Sequence, residues 1–444
     1  MRGKNILITG MVCLLTVNLY GQTTFLGVSA DAIRKATSDH LQQWFPTVVD
    51  QENGGFYTNF EYNWKRSDHQ PKMVATQARD LWTSAKAAQL YPENPEYRNA
   101  ADHGFRFLIE KMWNKQIGGF NLYEGEVNPK YQLIYGNSFA LFALAEYARI
   151  APSEEVLGWV ERTFNWIDSV AHDDKLMGYH TLILSDELKK DTPENKAFIL
   201  NQGWGKPEWK DQNTSIHLLE AFTATWQVLP LPKVKTRLKE MLDLVSKTMV
   251  QPDSTLKLYF TNEWQPIDNS DKPRREILAH QNDDHISFGH NIETAYLIID
   301  ASKTLFGEVD KESLAIAKKL TDHTLNHGFA PDYYGLYDRG YSFSGKGKIE
   351  IIARSKEWWA QYEAWHTLAL MSSYFPTEEK YSLAFRQMWN YIQSELIDHQ
   401  YGGCYAHGID ESPSAKKERK AYEWKCPYHD GRALMLVSGY IHNK

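Results

Sequence analysis

Three histidines stand in three well-separated segments, each among residues that bind or polarise sugar oxygens. The segments are Asn213-Thr214-Ser215-Ile216-His217-Leu218-Leu219-Glu220, Phe288-Gly289-His290-Asn291-Ile292-Glu293 and Trp424-Lys425-Cys426-Pro427-Tyr428-His429-Asp430-Gly431-Arg432. Imidazole is the side chain that exchanges protons near neutral pH. His217 with Glu220, and His290 with Glu293, repeat a spacing that puts both groups on one face of a helix. Each glutamate is therefore expected to orient its imidazole and raise its basicity. Pro427 fixes the approach to a last helix, and His429 is expected to project from that helix start. Arg79, in Gln77-Ala78-Arg79-Asp80-Leu81-Trp82, opens another helix, where a guanidinium can hold a sugar oxygen and stabilise an enediolate. Tyr135, Asn137 and Phe139 start a further helix and are expected to line a wall. Trp358 and Trp359 offer stacking rings, and Glu363 adds a carboxylate.

Side chains so far apart in the chain must be brought together by repeated elements. Asn53-Gly54-Gly55-Phe56-Tyr57, Ile117-Gly118-Gly119-Phe120-Asn121, Met177-Gly178-Tyr179-His180 and Tyr401-Gly402-Gly403-Cys404-Tyr405 resemble one another. Weaker counterparts lie at 256–260 and 333–337. Each reads as a short turn leading into an alternating aromatic strand. Successive turns are roughly 60 to 80 residues apart, room for a pair of helices. Apolar residues recur at helical spacing over 79–90, 99–113, 139–150, 156–170, 215–228, 233–250, 292–306, 314–327, 358–375, 381–397 and 432–442. The expected fold is all-α: an (α/α)6 barrel of about twelve helices with short β-hairpins in the loops. It is preferred to an open solenoid because the polar motifs recur near helix starts, as if converging on one mouth. No Pro- or Gly-rich linker divides the chain, so a single catalytic domain is expected over residues 22–444.

Composition narrows the partners. The chain has 444 residues, 42% hydrophobic and 24% charged, as soluble globular proteins do. Its net charge of −7 argues against a nucleic-acid binder. Its 15 Trp and 25 Tyr supply a large aromatic core with rings to spare for a sugar site. Residues 1–21 read as a secretory signal, with Arg2 and Lys4, an apolar run over 6–17 and a small residue near Gly21. The run is short for a membrane span, and no later stretch reads as one. Export to a periplasm or beyond is expected. Cleavage would remove Cys13 and leave Cys404 and Cys426, enough for one bridge at most. His217, His290 and His429 with a glutamate could ligate zinc. However, no His-Glu-x-x-His helix, metal-spaced Cys pair, phosphate loop, dinucleotide fingerprint or Gly-x-Ser-x-Gly elbow is present. Chemistry without a metal or other cofactor is expected.

Seven of these segments, in order, resemble the N-acylglucosamine 2-epimerase superfamily, in its disaccharide-epimerase branch. They are Ala78 to Trp82, Tyr135 to Ala140, Ala145-Glu146-Tyr147, Asn213 with His217 to Ala221, Gly289 to Glu293, Trp358-Trp359 with Glu363-Ala364, and Trp424 to His429. The resemblance implies an (α/α)6 barrel that converts reducing-end glucose to mannose in β-1,4-linked disaccharides, without metal or nicotinamide. It implies that His290 and His429 exchange the C2 proton through a cis-enediolate and that Glu293 tunes His290. Arg79, Asn213 and His217 would hold O1 and O2, and Trp424 with Trp359 or Trp358 would stack on the sugar. Tyr135, Asn137, Glu220 and Glu363 would complete the substrate site. Three other readings stay open: an aldose–ketose isomerase, a secreted glycoside hydrolase built on two carboxylates, and a silent sugar-binding protein. The barrel alone does not choose among them; the histidines favour proton transfer. The only partner expected is an oligosaccharide, with no nucleic acid and no membrane; the oligomeric state is left open, monomer included.

Overall fold

A computed structural model of the chain describes residues 15–17, 23–331, 334–343 and 347–442. The expected leader, 1–21, lies outside them apart from 15–17, and so does Tyr333 of the weaker turn repeat. The helices run in the order α1 (Ala30–Trp44), α2 (Val74–Leu90), α3 (Pro95–Phe107), α4 (Ile134–Ile150), α5 (Glu154–Ala171), α6 (Pro193–Leu200) and α7 (Gln212–Val228). They continue with α8 (Pro232–Leu244), α9 (Arg274–Ala279), α10 (Phe288–Phe306), α11 (Lys311–His327), α12 (Trp358–Tyr374), α13 (Glu379–Tyr391) and α14 (Tyr428–His442). Helices α2, α4, α7, α10, α12 and α14 touch one another in a closed ring, and α3, α5, α8, α11, α13 and α1 back them from outside. This is an (α/α)6 barrel. Only two- and three-stranded sheets accompany it among the described residues, and no helix there is long and apolar enough to cross a membrane.

Burial separates the two rings. Helix α4 is buried from Ile134 to Ala148 without a break, as a helix enclosed on every side must be. Its alanines let the neighbouring helices approach. The outer α5 is amphipathic: Val156, Val160, Phe164 and Ile167 are buried, and Ser153 caps its start by accepting from the Val156 N–H. Apolar periodicity located the outer helices well but began the inner ones late. Five inner helices start a turn or so before 79, 139, 215, 292 and 432, because their first turns face a polar cavity and carry no apolar stripe. Helix α1 is one that the periodic reading did not place.

The turn repeats tie the rings together. Asp50, Asn114, Asp173 and Asp398 each accept two backbone N–H bonds from the following turn. The strand after the turn is then gripped by an amide from an inner helix. Gln77 bonds both backbone groups of Phe56, and Asn137 bonds those of Phe120. Gln361 does the same for Leu336, while Asn291 accepts from the Leu256 N–H. This corrects one expectation. Asn137 lies between Tyr135 and Phe139, and two residues turn a helix by about 200°. It therefore faces the outer ring and does not line the cavity wall. Cys404 and Cys426 are separate, buried thiols.

Short strand pairs precede the inner helices: Tyr131–Leu133 with Leu182–Leu184, Lys210–Asp211 with Tyr259–Phe260, and Ile286–Ser287 with Arg339–Tyr341. Isolated bridges Met73 to Tyr123 and Glu357 to His407 repeat the device. They hold the inner helix starts at one rim.

Candidate active site

The first two turns of the inner helices converge on a cavity of about 320 Å3, lined by Arg79, Tyr135, Asn213, His217, His290, Glu293, Glu357, Trp358, Trp359, Tyr422, Trp424 and His429. The arrangement is layered. Tyr135, Asn213, His290, Trp359 and His429 come from the first turn of their helices. Arg79, His217, Glu293, Glu363 and Arg432 come from about one turn deeper. Gly289 makes this possible at α10, because a Cβ there would lie 2.5 Å from the Trp359 ring. Trp359 in turn flanks both imidazoles, with ring centroids 4.8 Å from His290 and 5.7 Å from His429.

Each histidine has its Nδ1 engaged by the protein. His429 Nδ1 is 2.7 Å from Glu363 Oε1, and His217 Nδ1 is 3.0 Å from Glu220 Oε2. An ionised carboxylate only accepts, so Nδ1 carries the hydrogen and Nε2 keeps its lone pair. His290 Nδ1 is 2.8 Å from Ser287 Oγ, the residue that caps α10. Sequence reasoning paired His290 with Glu293. The structure instead gives His290 to Ser287 and Glu293 to Arg432, whose Nη2 donates to Glu293 Oε1 at 2.8 Å. A serine three residues before a helical histidine was the available signal, and it reads equally well as an ordinary cap.

Arg432 is the buried hub of this layer. It pairs with Glu220, with Glu293 and, at 2.5 Å, with Glu363. Glu363 also accepts from His366 Nε2 at 2.8 Å, and Tyr428 donates to Glu220 at 2.7 Å. Glu220 and Glu363, expected against the sugar, thus stand behind the histidines that they orient. Burial opposes ionisation of Glu363, yet Arg432, His366 and His429 hold it well below the usual carboxylate range. Burial opposes that of Glu220 too, and Arg432, His217 and Tyr428 hold it low. Glu293 has fewer supports: burial and the nearby Glu363 push it up to about 8, against Arg432. The charges explain the split. Two guanidiniums, Arg79 and Arg432, balance two ionised glutamates, and the third glutamate keeps its proton. Glu293, Glu363 and His429 each bring a metal-type ligand atom within 4.8 Å of the others; the countercharge at that place is Arg432.

Both candidate bases are neutral imidazoles. Burial depresses His429 to about 4, although Glu363 pulls the other way. His290 falls to about 3 through burial and then the proximity of His217, His285 and His429. Arg79 lies 4.1 Å over the Phe139 ring, and its Nη2 donates to the Tyr135 hydroxyl at 2.6 Å. Among the described residues, Arg79 Nε and Asn213 Oδ1 have no protein partner, so both retain capacity for a ligand oxygen. Trp358 is buried against Tyr422, and Trp424, 38% exposed, forms part of the mouth. Glu357 and Tyr422 also line the cavity and carried no recognisable signal.

The pattern of one family, N-acylglucosamine 2-epimerase (GlcNAc 2-epimerase), matches residues 55–430. A cellobiose 2-epimerase of Bacteroides fragilis is 27% identical over 91% of this chain and 97% of its own. A D-mannose isomerase of Marinomonas mediterranea is 25% identical over 87% and 91%. The solved cellobiose 2-epimerase of Bacillus thermoamylovorans superposes with a TM-score of 0.77 at 25% identity, covering 92% of this chain and 98% of that one.

Proposed function

The chain belongs to the N-acylglucosamine 2-epimerase family and is a sugar isomerase, and from that premise we propose that it interconverts reducing-end glucose and mannose in β-1,4-linked disaccharides. The observation that carries this reading is the pair His290 and His429, which face one cavity with Trp359 between them and with Nδ1 of each held by the protein. A C2–H beside an aldehyde is removed by a neutral base, and epimerisation needs proton donors and acceptors on both faces of that carbon. His429 takes the C2 proton of the ring-opened sugar at Nε2, and Glu363 stabilises the imidazolium formed. Arg79 and Asn213 hold O1 and O2 of the cis-enediolate, where a preorganised guanidinium lowers the cost of the developing charge. After rotation about C2–C3, His290 returns a proton to the other face. Solvent restores the proton to His290 and removes the one left on His429, while Glu293, one turn along α10, stays protonated at neutral pH. Ketose formation would need the same enediolate to be protonated at C1, and hydrolysis would need two carboxylates set across a glycosidic bond.

Incubation with cellobiose or mannobiose in deuterated water, followed by proton NMR, tests the reading. The expected product is the uncleaved epimer with deuterium at C2. Deuterium at C1 with ketose would make the enzyme an aldose–ketose isomerase, and free monosaccharide would make it a hydrolase.

A further inference from the structure

The cavity of about 320 Å3 is at the small end for ligand sites. A disaccharide with its reducing-end ring between His290 and His429 must leave its second ring at the mouth. Trp424 and Tyr135 form one side of that mouth, and Trp204 stands against both. Its ring centroid is 5.7 Å from Trp424 and 5.9 Å from Tyr135. Trp204 comes from the long excursion between the strands Leu182–Leu184 and Lys210–Asp211, which also carries α6.

The local backbone serves that one side chain. Gly203 and Gly205, on either side of Trp204, have φ of 76° and 75°, a left-handed conformation that glycine adopts freely. At Gly205 a Cβ would also lie 2.8 Å from the Tyr259 ring. The Tyr131 hydroxyl, beside the Trp204 indole, donates to Gln202 Oε1 at 3.1 Å. Trp204 is thus held in place while part of its surface stays open. A fixed indole offers a flat apolar face at low entropic cost, which suits the C–H face of a pyranose.

We propose that Trp204 is a specificity-determining residue: with Trp424 it receives the second ring of a disaccharide and so selects disaccharides over monosaccharides. The inference rests on the sugar-epimerase reading of the cavity. The test compares the wild type with Trp204→Ala and Trp204→Phe, measuring C2 deuterium exchange on cellobiose, on mannobiose and on free mannose. Calorimetric binding of both disaccharides and thermal unfolding are followed in parallel. Loss of one aromatic wall should raise KM for the disaccharide about tenfold, with kcat/KM for mannose unchanged and Trp204→Phe recovering most of the loss. Equal losses on both sugar classes, or no loss on either, would overturn the proposal, the first outcome marking Trp204 as structural. If the wild type exchanges no sugar, the epimerase reading fails, and calorimetry then decides the role of Trp204. Weaker disaccharide binding in Trp204→Ala sustains that role, and unchanged or absent binding ends it.

Discussion

At the scale of single residues, the chemistry turns on where three protons sit. His290 and His429 are neutral at physiological pH because burial depresses them, and Glu293 is protonated because burial and Glu363 raise it. The free enzyme should therefore give a bell-shaped kcat/KM profile. Its acid limb marks protonation of the base and lies near pH 4, well below the 6.5 of an unperturbed histidine. Its basic limb marks loss of the Glu293 proton and lies near pH 8. His429→Phe should lower kcat by about 10²–10⁴ with its unfolding temperature little changed. An acid limb at 6.5 in the wild-type profile would show that these imidazoles are not desolvated in solution. The histidines, Arg79, Asn213 and the tryptophans were legible from sequence because each stands in a short, chemically dense motif. Ser287 and Arg432 were not, since a cap and a buried counterion are recognised only by the partners that folding brings to them.

At the scale of elements, the inner helices divide their labour by angle. Positions about a turn apart, such as Tyr135 and Phe139, face the barrel axis; the position between them faces the outer ring. Asn137 is the case that separates the two roles. It bonds both backbone groups of Phe120 and the Leu133 carbonyl, with no side-chain surface exposed. Asn137→Ala strips the partner from a buried N–H and C=O, which costs about 1–3 kcal/mol for each group left unsatisfied. The expected result is a lower midpoint in urea with KM for the disaccharide unchanged, measured where the variant is folded. A raised KM at unaltered stability would return Asn137 to the substrate wall. The angular rule was available before the fold was known, because Asn137 sits two residues from two aromatic neighbours that share a face. What hid it was the polarity of an amide, which suggests a ligand contact as readily as a backbone clamp. The same ambiguity delayed the inner helix starts, where polar cavity residues interrupt the apolar period.

At the scale of the whole molecule, ring closure was readable from polar motifs that recur near helix starts, whereas the electrostatic tie across the ring was not. Arg432 joins α14 to Glu220 on α7, Glu293 on α10 and Glu363 on α12, four of the six inner helices. Removing one partner from a buried ion cluster leaves uncompensated charge and costs about 3–5 kcal/mol. Arg432→Met should therefore be destabilised by about that amount at pH 7 in chemical denaturation. The sign of its pH dependence follows from linkage. In the wild type, Glu220 and Glu363 have depressed values, so their contribution is present above the ordinary glutamate range and is lost as pH falls. In Arg432→Met the same carboxylates are raised, so the folded variant is favoured as pH falls toward their protonation. From pH 7 to pH 5 the second effect narrows the gap between the two proteins, the first acting below that range. Arg432 also helps burial to hold His217, His366 and His429 low, so in the variant these rise and narrow the gap further. A gap of constant size across that range would mean that the glutamates keep their charge in the folded variant and that Arg432 contributes by packing between Tyr296 and Tyr428, over whose rings its guanidinium also lies. A narrowing gap would establish the buried cation as the element that sets the protonation of the cavity and closes the barrel at once.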